Sequence, residues 1–364
     1  MKKEKVIKII KISAIAFIGI IITLSITVFL IINSYINKMN LVNDNVDYEL
    51  IENHTIEEEI HEADEIALED ATEIENSPQE DIDELDEIIR VNTEEINQEV
   101  SSEDVYNILL IGSDTREAGG SGRSDAMIIV SINSKTKKII LTSLLRDIYL
   151  KIPSRKNNRL NAAYQYGGAE LLIDTIEENF QIDIDKYISI DFYAFIDIVD
   201  SIDGVTLEVK EKYIPIINFY ITEINQHNGV NESDGLLTQA GTYVLNGKQT
   251  LGYVRNRYIG TDFERTARQR VVLNTIFDKV KDLNYLKILN LLEKVLPRVT
   301  TNLDKKKIIS LISSLPTYKS YAIEQWRIPM DGTYSFLTIN RMSVIGIDFE
   351  KNISELYKKV YEDK

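Results

Sequence analysis

Residues 107–143 read NILLIGSDTREAGGSGRSDAMIIVSINSKTKKIILTS and contain three short apolar runs separated by polar segments. The runs lie at residues 107–111, 126–132 and 139–143, and the turn-like segment NSKTKK joins the last two. Continuous apolar runs of this length, bounded by glycine and polar residues, are typical of strands. Strands that are apolar on both faces are usually covered by helices on both sides. The stretch therefore predicts an α/β fold with a buried central sheet.

Polar and charged residues cluster at the ends of these three predicted strands. If the second and third strands form a hairpin beside the first, then strand one ends, strand two begins and strand three ends at one edge of the sheet. Ligands in open α/β sheets collect at such an edge. Each piece alone is also compatible with a flexible hairpin loop or a solvated helix start. The residues predicted at this edge are Ser113, Asp114, Arg116, Arg123, Ser124, Asp125, Arg146 and Asp147.

A second concentration of charge lies in residues 253–277, which read YVRNRYIGTDFERTARQRVVLNTIF. Asp262 is predicted to begin a helix that carries Arg265 and Gln269 on one face. Arg255 and Arg257 alternate along what we interpret as a strand, so that both side chains point to the same side. The alternative interpretation is a basic helix face that contacts solvent or binds nucleic acid. An extracytoplasmic topology and a near-neutral domain charge argue against nucleic acid.

Apolar patterns predict further elements of the scaffold. Amphipathic helices are expected at residues 170–180, 192–199, 213–224, 285–296 and 305–315, and strands at residues 205–209 and 322–328. No internal repeat or low-complexity run follows residue 105. The region from residue 105 to residue 364 is long enough for one large domain with a substantial core.

The N-terminal residues predict a membrane anchor. Residues 12–32 are uncharged and rich in Ile, Leu, Val and Phe, and these 21 residues can cross a hydrocarbon core of about 30 Å as a helix. Five lysines precede the run and only Lys38 follows it closely, which places residues 1–11 in the cytoplasm and the rest of the chain outside. No small-residue cleavage site follows, so a retained anchor with type II topology is predicted rather than a signal peptide.

The formal net charge of −17 resides in one segment. Residues 41–104 contain 25 acidic residues and one basic residue, whereas residues 105–364 carry a net charge of +2. A run of like charge with a single aromatic residue repels itself and buries little surface. We therefore predict that residues 33–104 form an acidic, largely disordered linker with transient helix at most, and that residues 105–364 form the folded domain. Calcium binding is the alternative function of the acidic segment.

The residue types at the predicted site favour phosphoryl chemistry. The chain has no cysteine and three scattered histidines, which disfavours a Ser-His-Asp triad and a histidine-based metal site. Carboxylates without histidine or cysteine suit a hard cation such as Mg²⁺, with Mn²⁺ as a substitute. Several converging arginines suit a pyrophosphate, because the guanidinium fork matches phosphate oxygens and is always charged.

Six segments resemble, in this order, the LytR-CpsA-Psr family of cell-wall glycopolymer transferases. They are NILLIGSDTR, GRSDAMIIVSIN, LTSLLRD, RLNAAYQYGG, LNGKQTLGYVRNR and DFERTARQR. The resemblance covers about residues 105–280, with a weaker match to the end, and implies a three-layer α/β/α sandwich with a central mixed sheet and a deep apolar pocket for a polyprenyl chain. It implies Mg²⁺-dependent transfer of a phospho-linked glycopolymer, such as a teichoic acid or capsule, from polyprenyl pyrophosphate to a peptidoglycan sugar hydroxyl.

The resemblance also implies roles for individual residues. Asp114 and Asp125 match the metal-associated aspartates. Asp262 matches a position that activates the acceptor hydroxyl or orients an arginine. The residues predicted to be catalytic are Asp262, Arg146, Arg255 and Arg257. The residues predicted to bind the pyrophosphate are Arg123, Arg146, Arg159, Arg255, Arg257, Arg265 and Gln269.

The chain departs from the family pattern at three places. The family commonly has Pro where Leu145 stands, Lys where Arg159 stands, and Gly-Gly-Val where residues 203–205 read Asp-Gly-Val. Leu145 is expected to alter the loop that aims Arg146, and Arg159 keeps the charge with a different geometry. None of these changes removes a predicted metal ligand, so the predicted activity stands.

Two other functions are left open by the sequence. A polyprenyl pyrophosphate hydrolase would use the same site with water in place of the sugar hydroxyl. The second open function is that of a non-catalytic envelope-binding or regulatory protein, since members of the family have been labelled transcriptional attenuators. Direct contact with DNA is disfavoured, because only about 11 residues precede the predicted span. The predicted location is the cell membrane of a Gram-positive-type bacterium, with the catalytic domain outside and no nucleic-acid partner.

Overall fold

The structure is a computed structural model that describes residues 33–42, 78–94, 102–113, 124–255, 262–340 and 342–362. The predicted membrane span at residues 12–32 lies outside these ranges, as do the predicted site residues Asp114, Arg123 and Arg257. Among the helices within these ranges, none combines the length and the apolar composition needed to cross a bilayer.

Strands and helices are interleaved along the described chain. The strands are β1 (Asn40–Leu41), β2 (Val105–Ser113), β3 (Ser124–Asn133), β4 (Lys138–Leu144), β5 (Tyr149–Leu150), β6 (Asn158–Arg159), β7 (Lys186–Ile190), β8 (Val205–Val209), β9 (Gly241–Leu245), β10 (Val299–Thr301), β11 (Ala322–Ile328), β12 (Tyr334–Ile339) and β13 (Met342–Ile347). The helices are α1 (Gln79–Glu94), α2 (Leu160–Phe180), α3 (Phe192–Ser201), α4 (Ile214–His227), α5 (Gly247–Arg255), α6 (Asp262–Lys281), α7 (Tyr285–Val295), α8 (Lys305–Tyr318) and α9 (Phe349–Val360).

Seven strands form a mixed sheet in the order β1-β10-β7-β2-β3-β4-β11. β2 pairs in parallel with β7 and β4 pairs in parallel with β11, whereas β3 is antiparallel to both β2 and β4. The hairpin of β3 and β4, with β2 beside it, confirms the arrangement predicted for the first three apolar runs. The predicted α/β class with a central mixed sheet is confirmed as well.

One face of the sheet is covered by α1, α2 and α9. Side chains on this face, such as Leu109 of β2 and Ile129 of β3, are fully buried under this layer. The hydroxyl oxygens of Tyr164 in α2 and Ser189 in β7 lie 3.2 Å apart. The Asn133 side chain of β3 donates to a carbonyl of α9 at 2.8 Å. This side of the sheet therefore holds the main hydrophobic core.

The opposite face has helices at its margins and a partly exposed apolar strip at its centre. At one margin, α8 packs near Ile188, and Lys307 Nζ lies 3.2 Å from the centroid of the Tyr106 ring. At the other margin, the Gln325 side chain of β11 donates to the Asn274 side chain of α6. Between them lies the apolar strip, whose side chains share this face by register and are only partly buried: Leu110, Ile128, Val130, Ile132 and Ile139.

A second core lies beside the sheet, where α3, α4, α5 and α6 pack around the antiparallel pair of β8 and β9, whose connection contains α4. Two glycines allow α5 to pack closely between its neighbours. A Cβ at Gly247 would come within 2.5 Å of the Ile196 backbone in α3, and one at Gly252 within 3.0 Å of the Ile217 backbone in α4. This packing fixes the position of Arg255, the last residue of α5.

Most of the other predicted elements are confirmed. The helices predicted at residues 192–199, 213–224, 285–296 and 305–315 and the strands at residues 205–209 and 322–328 are all present. The helix predicted from residue 170 is the second part of α2, which bends at Gly168, where φ is +67°. The strand interpretation of Arg255 is wrong. Residues Gly247–Arg255 form a helix because the apolar side of that segment packs against α3 and α4.

The prediction of a disordered linker over residues 33–104 is wrong for the two parts of it that form secondary structure. α1 inserts Leu85 and Ile89 into the main core, and the Asn92 side chain donates to the Asn179 carbonyl of α2 at 2.8 Å. The apolar residues Ile82, Leu85 and Ile89 recur at helical spacing, so acidic side chains occupy the other side of α1. β1 adds a further pair of residues to the sheet edge. The fold therefore begins before residue 105.

The docking of α1 predicts a contrast between two adjacent isoleucines. Ile89 is 1% exposed in the main core, whereas Ile88 is 41% exposed. We expect Ile89→Ala to lower the free energy of unfolding by about 3 kcal/mol through the lost burial and the cavity left behind. Ile88→Ala should change it by less than about 0.5 kcal/mol. Chemical denaturation of both variants measures this, and equal stabilities would contradict the docking of α1.

Glu177 of α2 is expected to make stability depend on pH. Burial raises the pKa of Glu177 from 4.5 to about 7, although the Ile184 N–H donates to its carboxylate at 2.7 Å. Because the folded state holds the proton more tightly than the unfolded state, the stabilisation is complete below about pH 4.5 and is lost as the pH rises to about 7. Glu177→Gln should flatten this decline in the free energy of unfolding. An unchanged slope would show that other groups cause it.

Candidate functional site

The ends of five strands of the central sheet meet at one edge. β2, β4, β7 and β11 all end there, and β3 begins there at Ser124. Hydrogen bonds join neighbouring ends, since the Ser113 hydroxyl donates to the Ile190 carbonyl at 3.5 Å and the Leu145 N–H donates to the Ile328 carbonyl at 3.1 Å. The predicted convergence of the first three strands at this edge is confirmed, and β7 and β11 extend it.

Two carboxylates and two guanidiniums form a chain of ion pairs at this edge, which we call the edge cluster (Asp125, Arg146, Asp147 and Arg159). Arg146 Nη1 donates to Asp125 Oδ1 at 3.1 Å, and Arg146 Nε lies 3.6 Å from Asp147 Oδ1. Arg159 Nη1 donates to the same Asp147 oxygen at 3.3 Å. The four side chains are between 12 and 22% exposed, so these pairs are less screened by water than surface pairs are.

The backbone after β4 explains why the edge cluster forms. Arg146 follows β4 by two residues, and its carbonyl accepts the Asn161 N–H at 3.1 Å, which ties this loop to the start of α2. Pairing of Tyr149 with Arg159 in the β5–β6 ladder brings the second arginine back to the first. Leu145 is fully buried, and its N–H donates to the Ile328 carbonyl at the end of β11. A proline at this position has no N–H and cannot make that hydrogen bond.

Arg255 is held between two aromatic rings. Its guanidinium carbon lies 4.0 Å from the centroid of the Phe192 ring and 4.6 Å from that of the Tyr220 ring. The Tyr220 hydroxyl also donates to the Arg255 carbonyl at 3.4 Å. Phe192 begins α3 just after the end of β7, so the stack places Arg255 at the same sheet edge. Stacking restrains the guanidinium through its faces and leaves its in-plane N–H groups as the part that can bind an anion.

α6 contributes two buried arginines near this region. Arg265 is 4% exposed and Arg268 is 6% exposed, and the Arg268 guanidinium carbon lies 5.3 Å from the centroid of the Tyr213 ring. Arg265 and Gln269 lie four residues apart in the helix and share a face, as predicted. Burial and the neighbouring Arg327 of β11 lower the pKa of Arg270, and the hydrogen bond between Gln325 and Asn274 places α6 beside that strand. The predicted start of the helix at Asp262 is confirmed.

The described carboxylates at the edge supply a partial donor set for a divalent cation. Within the described ranges, no three histidine or acidic side chains gather into a group that holds a metal by themselves. Asp125 is in place, and the other predicted ligand, Asp114, lies outside those ranges. Mg²⁺ is typically held by one or two carboxylates together with phosphate oxygens and waters. Asp125, the one described member of the predicted pair, is a carboxylate of the type that holds Mg²⁺, with phosphate oxygens and waters required for the rest of the coordination.

Sequence reasoning missed three contributors to this site. It placed Asp147 at the edge without a role, although its position next to Arg146 was a usable signal. It did not identify Phe192 and Tyr220, which meet Arg255 only through the packing of α3, α4 and α5. No local pattern marks these two aromatic residues as partners of an arginine.

The apolar strip runs up to the same edge. Leu110 and Ile128 lie opposite each other in the β2–β3 ladder, and Gly112 and Ala126 form a pair two residues nearer the edge cluster. The site thus combines several guanidiniums with an adjacent, partly exposed apolar surface. This combination suits a ligand with an anionic head and a hydrocarbon tail.

Known proteins share both the sequence pattern and the fold. The LytR_cpsA_psr family model matches residues 68–355. The polyisoprenyl-teichoic acid–peptidoglycan teichoic acid transferase TagT of Bacillus subtilis is 32% identical over 241 residues, which cover 64% of this chain and 72% of that protein. Biofilm regulatory protein A of Streptococcus mutans is 32% identical over 262 residues, which cover 66% of this chain and 61% of that protein.

A solved structure agrees with the fold described above. The LytR-CPS2A-psr family protein YwtF (TagT) of Bacillus subtilis, with bound octaprenyl pyrophosphate lipid, has a TM-score of 0.51 to this structure at 26% sequence identity. The likeness covers 74% of this chain and 94% of that one. The family match includes α1 within the acidic segment, the edge cluster and all of α6. This chain belongs to the LytR-CpsA-Psr family.

Proposed function

We propose that this chain transfers a phospho-linked glycopolymer, such as a teichoic acid or capsule polymer, from a polyprenyl pyrophosphate carrier to a sugar hydroxyl of peptidoglycan. The observation that carries the proposal is the edge cluster beside the apolar strip. A polyprenyl pyrophosphate needs both, because its head is a polyanion and its tail is hydrocarbon. The names of the relatives and the lipid bound to YwtF support the same substrate class.

The arginines are proposed to bind the pyrophosphate. Arg146 and Arg159 are held by carboxylates and Arg255 by aromatic rings, so less side-chain freedom is lost when the anion binds. Three further arginines and a glutamine are proposed to complete the site: Arg123, Arg257, Arg265 and Gln269. Guanidiniums that are already in place stabilise charge that develops on phosphate oxygens during transfer.

The transfer itself is proposed to proceed by attack of the acceptor hydroxyl oxygen on the phosphorus that carries the glycan. A new bond forms between that oxygen and the phosphorus, and the bond from the same phosphorus to the bridging oxygen breaks. Polyprenyl phosphate leaves with the bridging oxygen, and its added negative charge is balanced by the arginines. Asp262, at the start of α6, is the proposed acceptor of the hydroxyl proton.

Asp125, together with Asp114, is proposed to hold Mg²⁺, with Mn²⁺ as a substitute. When bound, the cation supplies charge neutralisation on the pyrophosphate oxygens. Asp125 has a second role in orienting Arg146 through their 3.1 Å ion pair. A change at Asp125 therefore affects the arginine as well as any metal.

The proposed location is the outer side of the cell membrane. Residues 12–32 are proposed to anchor the chain with type II topology, so that the domain faces the wall. The polyprenyl carrier occupies the same bilayer, which keeps the donor near the site. The acceptor, peptidoglycan, lies on the same side of the membrane as the domain.

Loss of Arg255 or Asp114 is expected to abolish transfer. Arg255→Ala removes a proposed pyrophosphate contact and Asp114→Ala a proposed metal ligand, so each should lower turnover about 100-fold or more. Arg155→Ala is a matched control, because Arg155 also stacks on a ring, that of Tyr166, and is exposed. The measurement is transfer of glycan from a lipid-linked donor to peptidoglycan fragments.

Product analysis in the same assay tests the acceptor. Transfer predicts a phosphodiester between the glycan and the peptidoglycan sugar, whereas hydrolysis predicts a free glycan phosphate. Full turnover by both the Arg255 and the Asp114 variants would refute the enzymatic proposal.

The aromatic stack predicts a separate effect on donor binding. Phe192→Leu keeps an apolar side chain but removes the ring that lies 4.0 Å from the Arg255 guanidinium. We expect KM for the lipid-linked donor to rise about tenfold with a smaller change in kcat, since a cation–π contact contributes about 1–2 kcal/mol when partly buried. Phe192→Tyr should restore KM, and Phe219→Leu, at a ring that is 56% exposed, should leave it unchanged. An unaltered KM in Phe192→Leu would show that the stack does not position Arg255 for binding.

A further inference from the structure

The residues that follow the predicted membrane span are attached to the sheet. β1 pairs in parallel with β10, with Asn40 opposite Thr300 and Leu41 opposite Thr301. The N–H of Val42 continues the ladder by donating to the Thr301 carbonyl at 3.0 Å. β1 therefore forms an edge strand of the sheet that carries the edge cluster.

Side chains strengthen this attachment. Ile36 is 2% exposed and packs with Leu303 and with Ile308 of α8. Lys38 Nζ forms an ion pair with Glu293 of α7 at 3.3 Å. Lys305 of α8 donates to the Asn37 side chain at 2.5 Å. We call residues 33–42 the membrane-proximal clamp, because they combine strand pairing, burial and polar contacts.

The clamp lies very close to the predicted span. Residue 32 ends the uncharged run and Ile36 is already buried in the domain, so only residues 33–35 lie between the predicted span and the fold. The four residue steps from 32 to 36 reach at most about 14 Å when fully extended and about 6 Å as helix. Residues 33–36 are helical in the structure. Ile36, which packs on Leu303 and Ile308, is therefore held within about 14 Å of the end of the span.

The chemistry around the clamp suits a lipid headgroup region. Tyr35 has its ring 5.1 Å from Lys38 Nζ, and tyrosine and lysine are typical of the membrane–water interface. Lysines outnumber acids here, and Lys305 and Lys306 are exposed at the start of α8. The charged residues of the clamp, of its ion-pair partner and of residues 304–307 are Lys38, Glu293, Asp304, Lys305, Lys306 and Lys307. A net positive surface next to a bilayer is attracted by anionic headgroups.

The acidic residues 43–77 have both ends on the same folded body. They begin after Val42, which is bonded to β10, and they end before α1, which is docked in the main core. Besides Asn92, the acidic helix is fastened by a hydrogen bond from the Asn157 side chain to Asp86 at 2.9 Å. A segment joined to one body at both ends does not determine how far that body lies from the membrane.

We propose that the membrane-proximal clamp seats the domain directly on the outer surface of the bilayer, with the β1–β10 edge and the start of α8 against anionic lipid headgroups. Because the residues on both sides of the acidic segment 43–77 are attached to the domain, this segment does not act as a spacer between membrane and domain. The proposal rests on the membrane anchoring that is part of the proposed function. It assigns the clamp a role in fixing the distance between the domain and the bilayer.

The test measures the distance of the domain from the membrane. The chain has no cysteine, so Lys306→Cys gives a single labelling site on the full-length protein. A donor fluorophore there is combined with acceptor-labelled headgroups in vesicles of phosphatidylglycerol and phosphatidylcholine. Energy transfer is compared between the labelled parent chain, a chain that lacks residues 45–74, and a chain with Ile36→Ser and Leu41→Pro in the clamp.

The clamp predicts equal energy transfer in the parent and the deletion chain. It predicts a loss on the order of twofold in the clamp variant, because a freed tether of about 45 residues spans roughly 35–40 Å. A spacer role predicts the opposite, namely a clear increase on deletion and no effect of the clamp changes, and that result would overturn the proposal. If circular dichroism shows that the clamp variant is unfolded, the test rests on the deletion chain. Energy transfer equal to that of the parent then supports the proposal, and a clear increase overturns it.

Failure of this proposal is distinguishable from failure of the proposed function. Flotation of the parent chain with the vesicles tests the anchor, and loss of flotation would overturn both the anchor and the clamp. Glycan transfer is read by product formation and does not enter the distance measurement. If the parent chain floats and transfers glycan, but deletion of residues 45–74 increases energy transfer, then the clamp proposal is refuted and the proposed function is not.

Discussion

β3 lies antiparallel between β2 and β4, with Leu110 opposite Ile128 and Val130 opposite Leu141. This register places one set of alternate side chains in the main core and the other set on the apolar strip. A slip of one residue would exchange the two faces and bury the wrong side chains. The same register brings the start of β3 and the ends of β2 and β4 to one edge. The edge cluster and its neighbouring apolar strip both depend on this pairing.

The arginines at the edge are fixed before any ligand arrives. Asp147 contacts both Arg146 and Arg159, and two rings enclose Arg255. Removing such charges from water is costly, and the paired carboxylates and aromatic faces offset part of that cost. The result is a set of guanidiniums already held in place, so that little reorganisation is needed when the proposed phosphate binds. That property is what electrostatic stabilisation of phosphoryl transfer requires.

The acidic composition of residues 41–104 conceals a folded part. Ile82, Leu85 and Ile89 give α1 an apolar side within a sequence whose charge alone favours disorder. Burial of these few side chains outweighs the local repulsion, because the acidic groups remain on the solvent side. Charge per residue describes the average of a segment, whereas docking depends on where the apolar residues recur.

The sequence by itself determined the α/β class, the β3–β4 hairpin, the polar residues at the strand ends and the start of α6 at Asp262. These follow from local patterns: apolar runs, turn residues and the helical spacing of side chains. Only the tertiary structure decided that residues 247–255 are a helix, that Phe192 and Tyr220 enclose Arg255, and that β1 completes the sheet. Each of these depends on partners far apart in the chain. Their contacts form only when separate elements pack together, and no local pattern records which surfaces will meet.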